Sequence, residues 1–147
     1  MEALKVFCYF NLHKKVWSVR AMEGPQKGKV IAHRETVYLL DASPKVSEAG
    51  RQRVISEGRK NVHAGITGHW SDAVIPPESL GVFMGSSAIT YNPYKNRTFV
   101  YRDFRNKVWS GARLVRLDAI NRCVASYLIG RRIDLGSGGY THKSGDL

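Results

Sequence analysis

Hydrophobic and polar residues alternate along the first forty positions with the two-residue period of a β-strand. Val6, Cys8 and Phe10 occupy every second position of the first run, and this alternation places them on one face of a strand. Turn-forming residues, above all the cluster at 23–28, separate this run from later ones. The predicted strands are 5–10, 16–20, 29–33 and 36–40. Their order predicts an antiparallel meander.

The pattern changes after residue 42, where a helix is predicted. Ser43 at the cap and Pro44 at the first helical position are typical of a helix start. Gly58 is typical of a helix end. The sequence therefore predicts a helix over 46–57.

The apolar and polar residues of this predicted helix do not fall on clearly distinct faces. Val54 and Ile55 are its only large apolar residues after the first position, and Gly50 weakens it further. We expect it to cover the sheet without anchoring the core. Arg51 and Arg53 are expected on its exposed side.

The rest of the chain is again typical of strands. They are predicted at 61–70, 82–84, 88–91, 98–102, 108–117 (with a bulge at 110–111) and 123–129, with a loop at 71–81. We expect one α+β domain over 1–130, a mainly antiparallel β-sheet or partly open barrel with one main helix packed across it. Glycine-rich residues 131–147 are expected to form a flexible tail.

Charge narrows the range of functions. The 147 residues include 23 Lys and Arg against 12 Asp and Glu, a formal net charge of +11. Between Ser79 and Arg132 there are ten basic residues and two acids. Such a surface attracts polyanions and releases counterions when it binds nucleic acid. The alternative is a basic, solvated surface without a specific partner.

Other features set limits on class and compartment. No apolar run approaches the roughly 18 residues that span a bilayer, and the N-terminus does not resemble a signal peptide. We therefore expect a cytoplasmic protein. Cys8 and Cys123 fall in strand-like runs and are expected to be buried free thiols rather than metal ligands. The 24–29 segment lacks the spacing of a phosphate loop, and we expect no cofactor.

Aromatic residues and cations are interleaved between positions 91 and 107. Rings of this kind stack on bases while Lys and Arg contact phosphates. The alternative for the rings is packing, with Phe99 and Tyr101 as strand residues. The candidate binding residues in this segment are Tyr91, Tyr94, Lys95, Arg97, Arg102 and Arg105.

A second group of candidates lies at the end of the predicted helix. Arg59, Lys60 and His63 follow it closely and could bind a phosphate together with Arg51 and Arg53. His63 could alternatively transfer protons in phosphodiester cleavage, but we expect a ligand-contacting or merely exposed His63 rather than a catalytic one. His69 lies about 20 Å further along the strand, too far to share one phosphate or metal with His63.

Three segments carry a resemblance to known proteins. Residues 45–54 (KVSEAGRQRV), 59–65 (RKNVHAG) and 90–95 (TYNPYK) resemble segments of small, uncharacterised bacteriophage proteins, within a similarity over about residues 5–117. This resemblance implies expression in an infected bacterial cytoplasm and a role in host takeover or counter-defence. It brings no catalytic residues with it.

These observations lead to three hypotheses of different classes. The first is a non-enzymatic protein that binds nucleic acid or an anionic nucleotide, which requires the two groups of cations to meet on one surface. The second is a metal-independent nuclease or phosphodiesterase that uses His63. The third is a protein-interaction or virion component whose cations contact an acidic host protein or packaged DNA.

Overall fold

The computed structural model describes residues 4–58, 61–71, 83–104, 107–122 and 124–129. In these ranges the chain forms nine strands, one α-helix and a short 3-10 helix at Ile120–Arg122. The strands before the helix are β1 (Leu4–Asn11), β2 (Val16–Ala21), β3 (Val30–Arg34) and β4 (Thr36–Val46), and α1 is Glu48–Glu57. The later strands are β5 (Ala64–Trp70), β6 (Phe83–Thr90), β7 (Val100–Tyr101), β8 (Ala112–Asp118) and β9 (Val124–Ile129).

All nine strands belong to one antiparallel sheet in the order β3-β2-β1-β5-β4-β8-β9-β6-β7. Its ends, β3 and β7, do not pair with each other, so the sheet is not closed. The predicted class, an α+β fold that is mostly antiparallel sheet, is confirmed. No helix in the described ranges is long and apolar enough to cross a membrane.

The sheet curls around one hydrophobic core. Ala32 near one end of the strand order and Ile89 near the other belong to the same buried cluster. Val6, Cys8 and Ile66 line its interior with no exposed surface. They occupy alternate positions of their strands, as expected where one face of a sheet is buried. Burial raises the pKa of the Cys8 thiol to about 12, as expected for a buried free thiol.

The predicted start of the helix at Ser43 and Pro44 is wrong, because β4 continues through both residues to Val46. Pairing between β4 and β8 ends at Ala42, so Pro44 lies where β4 has a neighbour on one side only. A strand tolerates the missing proline N–H in such a position. Ser47 caps α1 instead, its hydroxyl accepting a hydrogen bond from the Gly50 N–H at 3.2 Å.

The predicted end of the helix is confirmed. Gly58 adopts a left-handed conformation with φ of 67°, and its N–H donates to the Val54 carbonyl at 2.9 Å. Nothing lies within 4 Å of the place where a Cβ would stand on Gly58. The predicted flexible tail at 131–147, most of the predicted loop at 71–81, and Cys123 lie outside the described residues.

Boundaries of the later predicted strands also differ, since β5 begins at Ala64 and β7 comprises only Val100–Tyr101. A single strand, β6, replaces the predicted pair at 82–84 and 88–91. The predicted strand at 108–117 is interrupted: Val108 forms an isolated bridge with Val100, and β8 begins only at Ala112. Between them the Trp109 ring enters the core and its Nε1–H donates to the Ser126 hydroxyl at 3.0 Å.

Gly111 makes this interruption possible. Its φ of 129° is unfavourable for any residue with a side chain, and a Cβ there would collide with the Ala42 carbonyl oxygen. We expect Gly111→Ala to lower the free energy of unfolding by about 3 kcal/mol, through backbone strain together with displacement of β4. Urea denaturation measures the loss.

Gly58→Ala is the matched control, because it imposes a positive φ on alanine without a collision. We expect it to cost about 1 kcal/mol. Equal losses in the two variants would contradict the close approach of Gly111 to β4.

Candidate anion-binding site

Helix α1 is attached to the turn at 92–97 by one arginine. The Arg51 Nε–H donates to the carbonyl oxygens of Pro93 at 3.0 Å and Asn96 at 2.9 Å. Its Nη1 forms an ion pair with the Glu48 carboxylate at 2.9 Å. Arg51 is buried, so the prediction that it lies on the exposed side is wrong. Its position makes it the link between helix and turn.

The turn is shaped by two asparagine side chains. Asn92 Oδ1 accepts the Tyr94 N–H at 2.9 Å, and the Asn92 carbonyl accepts the N–H groups of Lys95 and Asn96 at 2.9 and 2.7 Å. Asn96 Oδ1 accepts the Asn92 N–H in return, at 3.2 Å. Asparagine is favoured in such turns because its side chain can replace a backbone partner. The turn therefore holds its residues in a defined arrangement.

His63 joins the same region through Tyr91. Its Nδ1 lies 3.2 Å from the Asn61 carbonyl oxygen, and its Nε2 lies 2.7 Å from the Tyr91 hydroxyl. A carbonyl can only accept, so the neutral ring carries its proton on Nδ1 and Nε2 accepts from Tyr91. Both ring nitrogens are thus engaged by the protein.

The Tyr91 ring packs against other aromatic side chains of the protein. It stacks on Phe99 with ring centroids 5.0 Å apart, and Phe99 meets Trp109 edge to face. Burial raises the pKa of the Tyr91 phenol to about 12, with the Arg51 charge opposing this shift and Glu48 adding to it. The phenol therefore remains a hydrogen-bond donor at neutral pH. For Tyr91 and Phe99, packing is the observed role.

Four candidate residues face solvent around this framework, and we call them the basic turn surface: Arg53, Tyr94, Lys95 and Arg97. Tyr94 is 61% exposed, and its hydroxyl lies 3.5 Å from the Val54 carbonyl of the helix. Within the described part of the chain, none of the three cations forms an ion pair. The surface therefore presents charge and an exposed ring together.

Glu48 is the acid at the border of this surface. A hydrogen bond from Gln52 lowers the pKa of its carboxyl, and the charges of Arg51 and Arg97 lower it further. Glu48 already has two partners in Arg51 and Gln52.

The remaining predicted site residues are not part of this arrangement. Arg102 is exposed beyond β7, and its Nε lies 3.8 Å from the Asp103 carboxylate. Arg59, Lys60 and Arg105 lie outside the described residues. Among the predicted site residues, Arg51 contacts the turn that carries Tyr94, Lys95 and Arg97, Tyr94 contacts α1, and His63 contacts Tyr91. Arg53 is exposed on α1.

Sequence reasoning missed the groups that hold the site in place. Glu48 precedes Arg51 by three positions, a spacing that pairs side chains on a helix and could have been recognised. Of the two asparagines that shape the turn, the sequence indicated only Asn92, through the Asn92-Pro93 turn signal. In the described ranges, no group of three or more His, Cys, Asp or Glu side chains could hold a metal ion.

Comparison with known proteins agrees with the resemblance found in the sequence. The Gene 82 protein of Mycobacterium phage L5 is 44% identical over 106 residues, which cover 68% of this chain and 79% of that protein. No solved structure matches the chain. The chain is thus similar to a small bacteriophage protein. The family model described as Mycobacterium phage L5 gene 82 protein matches residues 1–125, and the chain belongs to this family.

The role of Arg51 can be tested by truncation. We expect Arg51→Ala to lower the free energy of unfolding by about 2–3 kcal/mol, because it leaves two carbonyls of the turn without their charged donor. Arg53→Ala on the same helix removes an exposed cation and should change stability by less than about 0.5 kcal/mol. Urea denaturation compares the two, and similar losses would contradict the linking role.

The Tyr91 hydroxyl can be followed by its ionisation. A folded pKa raised from 10 to about 12 contributes stability below pH 10 that is lost as the pH rises through about 12. Tyrosinate ultraviolet absorbance should therefore include one late step near pH 12. Tyr91→Phe should abolish this step and Tyr94→Phe should leave it in place. If the late step persists in Tyr91→Phe, the step belongs to another tyrosine and the assignment to Tyr91 is wrong.

Proposed function

We propose that this protein binds nucleic acid or an anionic nucleotide at the basic turn surface. One observation supports the proposal above all: buried Arg51 fixes the turn that carries the exposed Tyr94, Lys95 and Arg97 to α1, which carries the exposed Arg53. Exposed cations that form no ion pair with a described carboxylate are suited to phosphates, and an exposed ring in the same turn is suited to a base.

The interaction energies expected for base stacking and phosphate contacts agree with nucleic-acid or nucleotide binding at this surface. Stacking of one base on an aromatic side chain contributes about 1–3 kcal/mol, and each phosphate contact adds an affinity that decreases with salt. Because Asn92 and Asn96 already shape the turn, little ordering is required on binding. A preformed site loses less of its interaction energy to conformational entropy.

Binding is preferred to catalysis because of His63. A general base needs a nitrogen that can reach the substrate proton, whereas Nδ1 and Nε2 of His63 are both hydrogen bonded within the protein. His63 in this geometry orients Tyr91. We therefore assign it to the framework of the site.

The family provides a setting for this activity. A protein of a mycobacteriophage family would encounter its anionic ligand in the cytoplasm of an infected bacterium. Host takeover or counter-defence would be the corresponding biological roles, in which a nucleic acid or nucleotide of the infected cell is the ligand.

Charge reversal tests the proposed surface. We expect Arg97→Glu to weaken binding of a labelled single-stranded oligonucleotide and to reduce the slope of log affinity against log salt by about 0.7. Tyr94→Ala should weaken binding by about 5- to 100-fold through lost stacking. Fluorescence anisotropy at several salt concentrations measures both effects.

Lys27→Glu is the control, because Lys27 is exposed in the turn between β2 and β3, at the opposite end of the strands from α1. It changes the net charge equally and should have a much smaller effect. Unchanged affinity of Arg97→Glu at low salt would show that the proposed surface is wrong.

Native mass spectrometry of protein purified from cells tests the class of ligand. We expect a co-purifying nucleotide or oligonucleotide, which nuclease treatment of the lysate removes if it is polymeric. A bound acidic protein that survives nuclease treatment would contradict the proposal and favour a protein-interaction role instead.

A further inference from the structure

A second cationic surface lies on the sheet itself, away from the residues singled out in the sequence. Strands β1, β2, β3 and β5 contain no aspartate or glutamate. They carry Lys5, Arg20, His33, Arg34 and His69. These four strands therefore contribute cationic side chains and no acidic ones.

The strand register places several of these side chains on one face. Phe7 lies opposite Arg20 on β2 and opposite Thr67 on β5. Thr67 in turn lies opposite Ser43 on β4, and their hydroxyl oxygens are 3.1 Å apart. Because side chains alternate along a strand, the residues two positions away share this face. The cationic and aromatic residues among them, together with Arg20 opposite Phe7, are called the outer strip: Lys5, Tyr9, Arg20, Lys45 and His69.

The outer strip is the opposite face from the core, which receives Val6, Cys8 and Ile66. Lys5 and Lys45 are exposed, and the other three members of the strip are half-buried. None of the five forms an ion pair with a described carboxylate. Glu23 accepts the backbone N–H of Lys5 at 3.2 Å and marks one end of the strip.

Aromatic rings support the cations of this strip. The Arg20 guanidinium lies over the Phe7 ring, 4.9 Å from its centroid, and the Phe7 and Tyr9 rings are 6.0 Å apart. A guanidinium held on a ring is oriented before a ligand arrives. Cations and a half-exposed Tyr9 ring are the groups that single-stranded nucleic acid requires.

The outer strip begins beside the basic turn surface. Lys45 precedes the cap of α1 by two residues, and the Ser47 N–H donates to the His63 carbonyl at 2.7 Å. From β4 to β2 the strip crosses three strand spacings, roughly 14 Å in total. A ligand that starts at the basic turn surface and crosses the whole strip must therefore extend over more than one nucleotide.

We propose that single-stranded nucleic acid runs from the basic turn surface across the outer strip, so that the ligand is a polynucleotide rather than a free nucleotide. This inference rests on the proposed function, since the turn provides the first contacts. Lys45 and Arg20 bind phosphates at the two sides of the path, and Tyr9 offers a ring to a base between them.

Oligonucleotide length tests this path. Labelled single-stranded oligonucleotides of about 4 and about 16 nucleotides span the range of known single-strand sites. We expect Lys45→Glu and Lys5→Glu each to weaken binding of the longer one by about fivefold at about 0.1 M salt and to reduce its salt slope by about 0.7. Binding of the shorter one should be unchanged, because the basic turn surface accommodates it.

Lys107→Glu is the matched control, because Lys107 is exposed next to β7, at the other end of the strand order. It should leave the ratio of the affinities for the longer and the shorter oligonucleotide as in the wild type. Circular dichroism and urea denaturation establish that each variant is folded, and Lys45→Gln repeats the test without introducing an acid.

The outcomes separate the two proposals. If Arg97→Glu weakens both lengths while Lys45→Glu and Lys5→Glu change neither, the outer strip is wrong and the basic turn surface stands. If the outer-strip variants weaken binding and Arg97→Glu does not, the proposed function at the turn is wrong. If the wild type binds neither oligonucleotide, both proposals are overturned.

Discussion

The hydrogen bonds of Arg51 are the interaction on which the candidate site depends. Helix α1 has a weak apolar stripe, and its buried residues are Gly50, Arg51 and Val54. Such a helix gains little from hydrophobic burial. A buried guanidinium shared between Pro93 and Asn96 supplies a charged, directional attachment instead. The hydrogen bonds of Arg51 therefore position the helix and the turn relative to each other. The exposed cations that these two elements carry are positioned with them.

Much of the sheet could be predicted because its strands have one buried face. Alternation identified β1 to β3 and the first half of β4 within a residue or two. The extension of β4 was missed because Ser43 and Pro44 carry a strong local helix signal. Pairing with β5 overrode this signal, since a strand with only one neighbour there accepts proline. Long-range strand pairing therefore determined the conformation of this segment, against its local helix propensity.

The exposed cations of the candidate site could be predicted from the sequence, but most of its side-chain contacts could not. The exposed cations Lys95 and Arg97 and the Asn-Pro turn were visible in the sequence. The burial of Arg51 was not, because its carbonyl partners lie 42 and 45 residues away. For the same reason Tyr91 and Tyr94 could not be distinguished: the first packs on Phe99 and the second remains exposed.

The open edge of the sheet has a consequence for self-association. Among the described strands β3 pairs only with β2, so its outer N–H and C=O groups have no partner strand in the described part of the chain. Such edges promote aggregation unless they are guarded. His33 and Arg34 lie on this edge, and Lys27 and Lys29 precede it. Two molecules that approached edge to edge would bring like charges together, and this repulsion disfavours fibrous stacking.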